Sequence, residues 1–170
     1  MNVVKSASDI KKLQVASCKL QAIQNPIMSN NLQIFRVVVA SREQQNDEQL
    51  MTAAAQLGIT GIEAIYSKRI YFIQGDFGVD SADKIATDLL VDPVTEEVAF
   101  ETLHGMVVGE KPDNRHTIDV TYLPGVTDPA ADNLQRAAGW MGFDVVNAAT
   151  GMRYEIIAPS TVDLEGIANR

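Results

Sequence analysis

The chain has 170 residues, 46% of them hydrophobic, and its 22 acidic and 14 basic residues give a net charge of −8. This length supports one sizeable core or two small ones, and the acidic balance argues against nucleic acid or an anionic membrane as partner, since both require a positive surface. A single cysteine, Cys18, excludes an intrachain disulfide and a multi-cysteine metal site and favours the cytoplasm. No apolar run approaches the roughly 20 residues that span a bilayer.

Residues 1–32 differ in composition from the rest and are expected to be a flexible leader. Up to residue 30 they carry four lysines and one aspartate, whereas most of the acidic excess lies downstream. Their apolar residues could form only a weak amphipathic helix, so a mobile leader is favoured. Because Met28 closely precedes the first strand, we hypothesise that it is the physiological start.

Residues 33–100 predict the order strand, helix, strand, strand, helix, strand. A β-branched run over 34–40 has the length of a buried strand. The first helix would be capped by Asn46 or Asp47 and would end at Gly58 in the left-handed conformation. Its apolar stripe, spaced i, i+3, i+4, i+7, consists of Leu50, Ala53, Ala54 and Leu57.

The remainder of this segment is predicted to hold two short strands, a second helix and a last strand. The short strands cover about residues 61–66 and 69–75. The second helix begins near Ser81 and ends by Pro93, because proline cannot continue a helix. The last strand covers 94–100. The inner face of the second helix consists of Ile85, Ala86, Leu89 and Leu90.

After a linker over 101–116, residues 117–170 repeat this order of elements with different residues. A strand over 117–123 leads into a helix with Asp128 as the cap and Pro129 at the first helical position. The stripe and the terminating glycine of this helix are Leu134, Ala137, Ala138, Met141 and Gly142. Strands over 145–149 and 152–157 follow, and a second helix opens at 159–161. The chain ends inside that helix, so this second unit is expected to be truncated.

The two units align without a gap at a constant offset of 84 residues, from residues 34–73 onto 118–157. Shared positions include Leu50/Leu134, Ala54/Ala138, Gly58/Gly142, Arg69/Arg153 and Ile73/Ile157. An internal duplication of this kind predicts a pseudo-twofold module, the intramolecular version of a homodimer. The predicted fold class is therefore α+β: duplicated βαββαβ units with antiparallel sheets and helices packed on one face.

The sequence offers few side chains for chemistry. His104 and His116 lie in or beside the linker, outside any metal-binding motif. Neither a phosphate-binding loop nor a dinucleotide turn occurs, so we expect no catalytic, cofactor-binding or metal-binding residues in this chain.

Two arginines and one tryptophan are candidates for contacts with partners. Arg69 and Arg153 occupy the same position in the two units and could grip an anion or a partner's carboxylates. Pairing with a local acid such as Glu63, or solvation, is the favoured interpretation. Trp140 lies off the apolar stripe of its helix, and it is either a second-layer core residue or an interface anchor.

The strongest local motif is the corner between strand and helix in the second unit. Pro124 and Gly125 give a tight exit from the strand, and Asp128 with Pro129 fixes the helix start four residues later. The first unit has no such proline and glycine at the equivalent place. By itself, the corner indicates only a stiff connection.

Three segments of the second unit occur in a characteristic order: residues 117–129, then Leu134-Gln135-Arg136-Ala137, then Met141-Gly142-Phe143. Together they resemble the opening of the small PurS-type subunit of phosphoribosylformylglycinamidine (FGAM) synthase. The strand Gly151-Met152-Arg153-Tyr154-Glu155-Ile156 is similar to the family's glycine, basic, aromatic strand. In the first unit, residues 69–76 and 89–94 are similar to the corresponding strand and helix end. The resemblance covers about residues 33–170.

The resemblance implies a non-catalytic scaffold in purine biosynthesis. FGAM synthase is a ligase that amidates formylglycinamide ribonucleotide with ammonia from glutamine, and its ATP and Mg²⁺ are expected in other domains. A PurS-like module bridges the synthetase and glutaminase domains or subunits and helps to shield the ammonia path. A homo-oligomer is also possible for this family. The residues expected in the motif or at an interface are Pro124, Gly125, Asp128, Pro129, Arg69, Arg153, Tyr154 and Trp140.

Two other functions stay open at this point. Paired βαββαβ units often bind effectors at their mutual interface, so a regulatory small-molecule-binding domain pair is one alternative. A free-standing PurS-like oligomeric adaptor is the other. Fold alone does not choose among them.

Overall fold

The computed structural model describes residues 2–4, 32–102, 114–123 and 125–159, with the backbone alone at 2–4 and 101–102. The described elements, in chain order, are β1 Asn2–Val4, β2 Gln33–Ser41, α1 Glu48–Gln56, β3 Ala64–Gly75, α2 Val79–Leu89, β4 Glu96–Thr102, β5 Arg115–Thr121, α3 Pro129–Trp140 and β6 Val145–Ile157.

The strands form one antiparallel sheet in the order β1-β5-β6-β3-β2-β4, and the three helices pack on one face of it. The α+β class and the one-sided helix layer are therefore confirmed. A single sheet replaces the separate sheets that were expected. That the two units are PurS-like duplicates stays a prediction.

Each pair of short strands predicted after a helix is in fact one long strand. β3 runs through residues 67 and 68 without a turn. All twelve of its residues pair with residues of β6, and the backbone hydrogen bonds between the two strands keep this stretch extended. Gly151 lies inside β6 for a steric reason. A Cβ there would stand 2.3 Å from the Val120 carbonyl oxygen of β5, so only glycine allows this close approach.

The helix ends agree with the predicted caps. Asp47 caps α1 and Asp128 caps α3, each by accepting a hydrogen bond from the backbone N–H three residues later. Gly58 and Gly142 follow the two helices with φ of 76° and 87°, in the left-handed region that favours glycine. Pro129 occupies the first position of α3, as expected.

The buried face of α1 differs from the prediction. Ala54 is buried as expected, but Ala53 and Leu57 are exposed, and Met51 joins Leu50 in packing against the sheet. The nine-residue helix is rotated so that positions i, i+1 and i+4 face inward. The stripe prediction for α2 is closer, because Ile85 and Ala86 are fully buried with Ala82 beside them.

The main core lies between the sheet and helices α2 and α3. Its buried members come from both halves of the chain: Val37, Val39, Ile73, Ile85, Ala86, Leu134, Ala138 and Val145. A second cluster lies under α1 and includes Ile65, Ile118 and Ile156. Phe35 of β2 stacks on Phe77, with ring centroids 5.8 Å apart, and closes one end of the main core.

The element order β-α-β occurs twice, as β2-α1-β3 and β5-α3-β6, but not at one constant offset. Only an odd offset keeps equivalent residues of β3 and β6 on the helix-bearing face. The equivalent contacts of Ser67 with Asp47 and of Thr150 with Asp128 give an offset of 83 residues, which also matches Tyr71 with Tyr154 and Ile73 with Ile156. The capping residues Asp47 and Asp128 are only 81 apart, and α3 has 12 residues where α1 has 9. The predicted ungapped alignment is therefore wrong.

β1 pairs with β5 at the same edge position that β4 takes beside β2. Val3 stands opposite Val120, just as Val98 stands opposite Val39 in the first half. The sheet is thus extended beyond β5 by the start of the chain. The rest of the predicted leader, most of the linker, Pro124 and the predicted helix after Pro159 lie outside the described residues.

Candidate functional site

The corner between β5 and α3 exposes apolar side chains. Gly125 has a φ of 83°, and the N–H of Val126 donates to the Leu123 carbonyl oxygen at 3.1 Å, which closes the turn. Tyr122, Leu123 and Val126 are 48%, 38% and 45% exposed. Three exposed apolar residues on a short turn are a plausible contact surface for another protein domain.

Asp128 is a structural carboxylate. It is buried, and its two oxygens accept hydrogen bonds from the N–H of Ala131, the hydroxyl of Thr150 and the N–H of Thr150 at 3.0, 3.0 and 2.8 Å. It therefore joins the start of α3 to the middle of β6. Asp47 does the same for α1 by accepting from the Ser67 hydroxyl of β3 at 2.6 Å.

Arg69 and Arg153 lie on opposite faces of the sheet, so they do not occupy equivalent positions and cannot together grip one anion. Directly opposed residues share a face, and Arg69 stands opposite Met152, while Arg153 stands opposite Lys68. Since side chains alternate along a strand, the one-residue difference between offsets of 84 and 83 reverses the face.

Arg69 connects β3 to its neighbours on the helix-bearing face. Its guanidinium donates to both carboxylate oxygens of Glu96 at 2.7 Å and to the carbonyl oxygen of Leu90 at 3.2 Å. The expected pairing with a local acid thus exists, but with Glu96 at the start of β4 instead of Glu63. Its side chain is still 42% exposed.

Arg153 lies in a buried charge cluster on the other face. It donates to both oxygens of Asp119 at 2.7 and 2.8 Å, and Arg36 approaches the same carboxylate at 3.5 Å. β3 and β6 separate Arg36 on β2 from Asp119 on β5, a span of about 14 Å in a flat sheet. The two side chains therefore reach toward each other across two intervening strands, which the twist of the sheet favours.

Further charges extend the cluster along the same face of the sheet. Lys68 pairs with Glu155 at 2.8 Å, and Arg115 lies 3.8 Å from the same carboxylate. Burial, and then the charge of Arg153, lowers the pKa of Arg36 to about 10, with Asp119 acting in the opposite sense. Arg36 stays a cation at neutral pH. Chemically, this arrangement crosslinks strands.

Sequence reasoning missed Arg36 and Asp119, although a signal was present. Each is a charged residue inside a strand with an apolar residue on either side, Phe35 and Val37 in one case and Ile118 and Val120 in the other. A charge in a buried strand must find a partner because desolvation penalises it otherwise.

The remaining two candidates lie apart from these groups. Tyr154 is half-buried against the cluster under α1, and burial raises its pKa, with the negative charge of Asp47 adding to the effect. Trp140 is the last residue of α3 and is 88% exposed, so it is not a core residue. The predicted residues therefore do not converge on one site.

Within the described residues, no group of three or more His, Cys, Asp or Glu side chains could hold a metal ion. None of the helices described is long and apolar enough to cross a membrane. No protein-family model matches this chain, and a search of curated proteins found no significant match.

Proposed function

We propose that this chain is the tandem PurS-like bridging module of a cytoplasmic FGAM synthase, a scaffold that supports synthetase–glutaminase assembly and ammonia transfer. The observation that carries the proposal is the β3–β6 ladder, which joins two β-α-β segments into one sheet. This is the arrangement expected if a fused pair replaces a twofold dimer. The resemblance of residues 33–170 supplies the family.

The chemistry of the named side chains is compatible with a scaffold. Asp128, Arg69 and Arg153 are each engaged in contacts that hold elements of the sheet together. A bridging module must exclude water at an interface, and it needs no nucleophile for this purpose. The exposed apolar corner formed by Tyr122, Leu123 and Val126 is the surface that we assign to partner contact.

Reconstitution tests this function. The purified chain is added to a synthetase and a glutaminase whose own PurS-type part has been removed, and formation of the amidine product is followed. We expect glutamine-dependent turnover to rise on addition, while turnover supported by added ammonium salt changes little. The chain alone should have no turnover. Turnover by the isolated chain, or no effect on the glutamine-dependent rate, contradicts the proposal.

A corner variant sharpens this test. Leu123→Ser with Val126→Ser should weaken the restored glutamine-dependent rate, because both side chains are expected at the interface. Val94→Ser is the matched control, since Val94 is 80% exposed before β4. Equal loss with both variants would show that the corner has no special part in docking. A rise in thermal stability with amino acids or nucleotides would instead support the effector-binding alternative.

A further inference from the structure

Exposed apolar side chains also occur at one end of the sheet, away from the corner. We define the Trp140 end as the place where β3 finishes and β6 begins, together with residues 76–80 and 140–146. Val145 pairs with Gly75 there, and the Asp144 carbonyl oxygen lies 2.7 Å from where a Cβ of Gly75 would be. The two connecting loops are therefore adjacent.

Three large apolar side chains project from this end into solvent. Trp140 is 88% exposed, Val79 at the start of α2 is 54% exposed, and Val146 of β6 is 45% exposed. The Gln135 side chain of α3 donates to the Val146 carbonyl oxygen at 3.0 Å and so fixes the helix against the first residues of β6. Trp140 is thus held on a rigid element, which suits an interface anchor.

Carboxylates occur in the same two stretches, residues 76–80 and 140–146. Asp76, Asp80 and Asp144 are exposed, and none of them forms an ion pair with another described residue. The described residues contain no group of three suited to a metal ion, so we do not assign these carboxylates to a small cation. Their combined charge instead favours a partner with several cationic side chains.

We propose that the Trp140 end docks a basic segment of another protein, with an arginine or lysine stacked on the Trp140 indole and further cations beside the aspartates. An indole face attracts a guanidinium, and tryptophan and arginine are the usual anchors of interfaces. A second copy of this chain fits less well. A twofold contact would bring the three aspartates of one copy against those of the other.

The chain provides its own reporter, because Trp140 is the single tryptophan. A short peptide of arginine and leucine is titrated at low salt while the tryptophan emission is followed, and a glutamate and leucine peptide serves for comparison. We expect a saturable blue shift with the basic peptide only, weakening as salt is added. Absence of a saturable shift at low salt overturns the proposal.

Charge-matched variants localise the binding. Asp76→Asn, Asp80→Asn and Asp144→Asn combined should weaken binding about five- to tenfold, since each exposed pair contributes modestly. Glu43→Gln, Glu48→Gln and Glu63→Gln combined remove the same charge at the opposite end, where the Glu63 N–H donates to Ile157. The second set should change affinity less than about twofold. Equal weakening by both sets would show general charge attraction and overturn the assigned surface.

Calorimetry measures the contribution of the indole to binding in variants that lack the tryptophan fluorescence. Trp140→Ala should weaken binding of the basic peptide more than Trp140→Phe, because phenylalanine keeps an aromatic face. Far-UV circular dichroism checks that the fold is retained, as expected for an exposed position. The test contains no synthase component, so its failure and that of the proposed function are distinguishable.

Discussion

Arg153 and Asp119 face each other on neighbouring strands, and two short hydrogen bonds join them in a buried environment. Desolvation makes such a pair costly to form. Removal of one partner costs more, because it leaves the other charge buried without an opposite charge beside it. Arg36 approaches the same carboxylate from β2. The cluster therefore joins β2, β5 and β6 through individual side chains.

Replacing Arg153 with methionine tests this dependence. The variant keeps an unbranched apolar side chain in place of the aliphatic part of arginine but removes the two hydrogen bonds to Asp119, so we expect the free energy of unfolding to fall by about 3 kcal/mol. Urea denaturation measures the change. Arg136→Met is the matched control, because Arg136 is exposed on α3 and should change stability by no more than about 0.5 kcal/mol. Similar values for the two variants would contradict the structural role of the pair.

Asp92 carries a pH-dependent contact in the turn before β4. The N–H of Val94 donates to its carboxylate at 2.9 Å, and this bond, with the Thr95 hydroxyl, lowers its pKa from 3.8. A carboxylate with a lowered folded pKa contributes stability above its unfolded pKa and loses it as pH falls through the folded value.

An NMR titration of the Asp92 carboxyl carbon checks this. The midpoint should lie below 3.8, and Thr95→Val should move it upward, because one hydrogen bond to the charged form is lost. A midpoint at or above the ordinary value would be incompatible with the hydrogen-bonded turn.

The two capping aspartates show how an element is fixed to the sheet. Asp47 and Asp128 each cap a helix and also bind a hydroxyl on the following long strand, Ser67 and Thr150 respectively. They differ in burial, since Asp128 is 3% exposed and Asp47 is half-buried. A lost hydrogen bond leaves a more costly unsatisfied group where water cannot replace it.

Alanine substitutions at the two caps should therefore have unequal effects. Asp128→Ala removes the cap and two bonds to Thr150, and we expect a loss of about 2–3 kcal/mol in the free energy of unfolding. Asp47→Ala should cost about 1 kcal/mol. Thermal denaturation gives the ranking, and hydrogen exchange at the Thr150 amide locates the effect. The opposite ranking would mean that α1 is the more tightly fixed helix.

Helix boundaries could be predicted from the sequence because caps are local. An aspartate followed three residues later by a free N–H, and a glycine after the last turn, act within a few residues of the chain. The extent of β3 and β6 could not be predicted in the same way. Each strand continues because the other one pairs with it, and that partner lies about 80 residues away.

The candidate residues show the same division. The local corner motif at Asp128 and Pro129 has the predicted geometry. The alignment of Arg69 with Arg153 as equivalent positions is wrong. Side chains alternate between the two faces of a strand, so an alignment error of one residue moves a side chain to the other face. The charge cluster around Asp119 depends on the order of strands that are 34 and 83 residues apart in the chain, which no short motif in the sequence encodes.

At the scale of the whole molecule, the two β-α-β segments share both a sheet and a core. Ile85 on α2 is fully buried in a cluster that also contains Leu134 and Ala138 of α3. β3 and β6 are the two central strands of the sheet, and each is followed outward by the other strand of its own segment, β2 or β5. Neither segment has a complete core without the other, so we expect the molecule to unfold as one unit.

Ile85→Ala tests this cooperativity, because its cavity lies under α2, in the first half of the chain, while its consequences should reach the second half. We expect a loss of about 3 kcal/mol, and native-state hydrogen exchange should show the same decrease at the Val37 amide of β2 and the Val120 amide of β5. Leu57→Ala, at a position 49% exposed after α1, should leave both unchanged. Full protection of Val120 in the Ile85 variant would mean that the segments open independently, and the continuous core would then not hold them together.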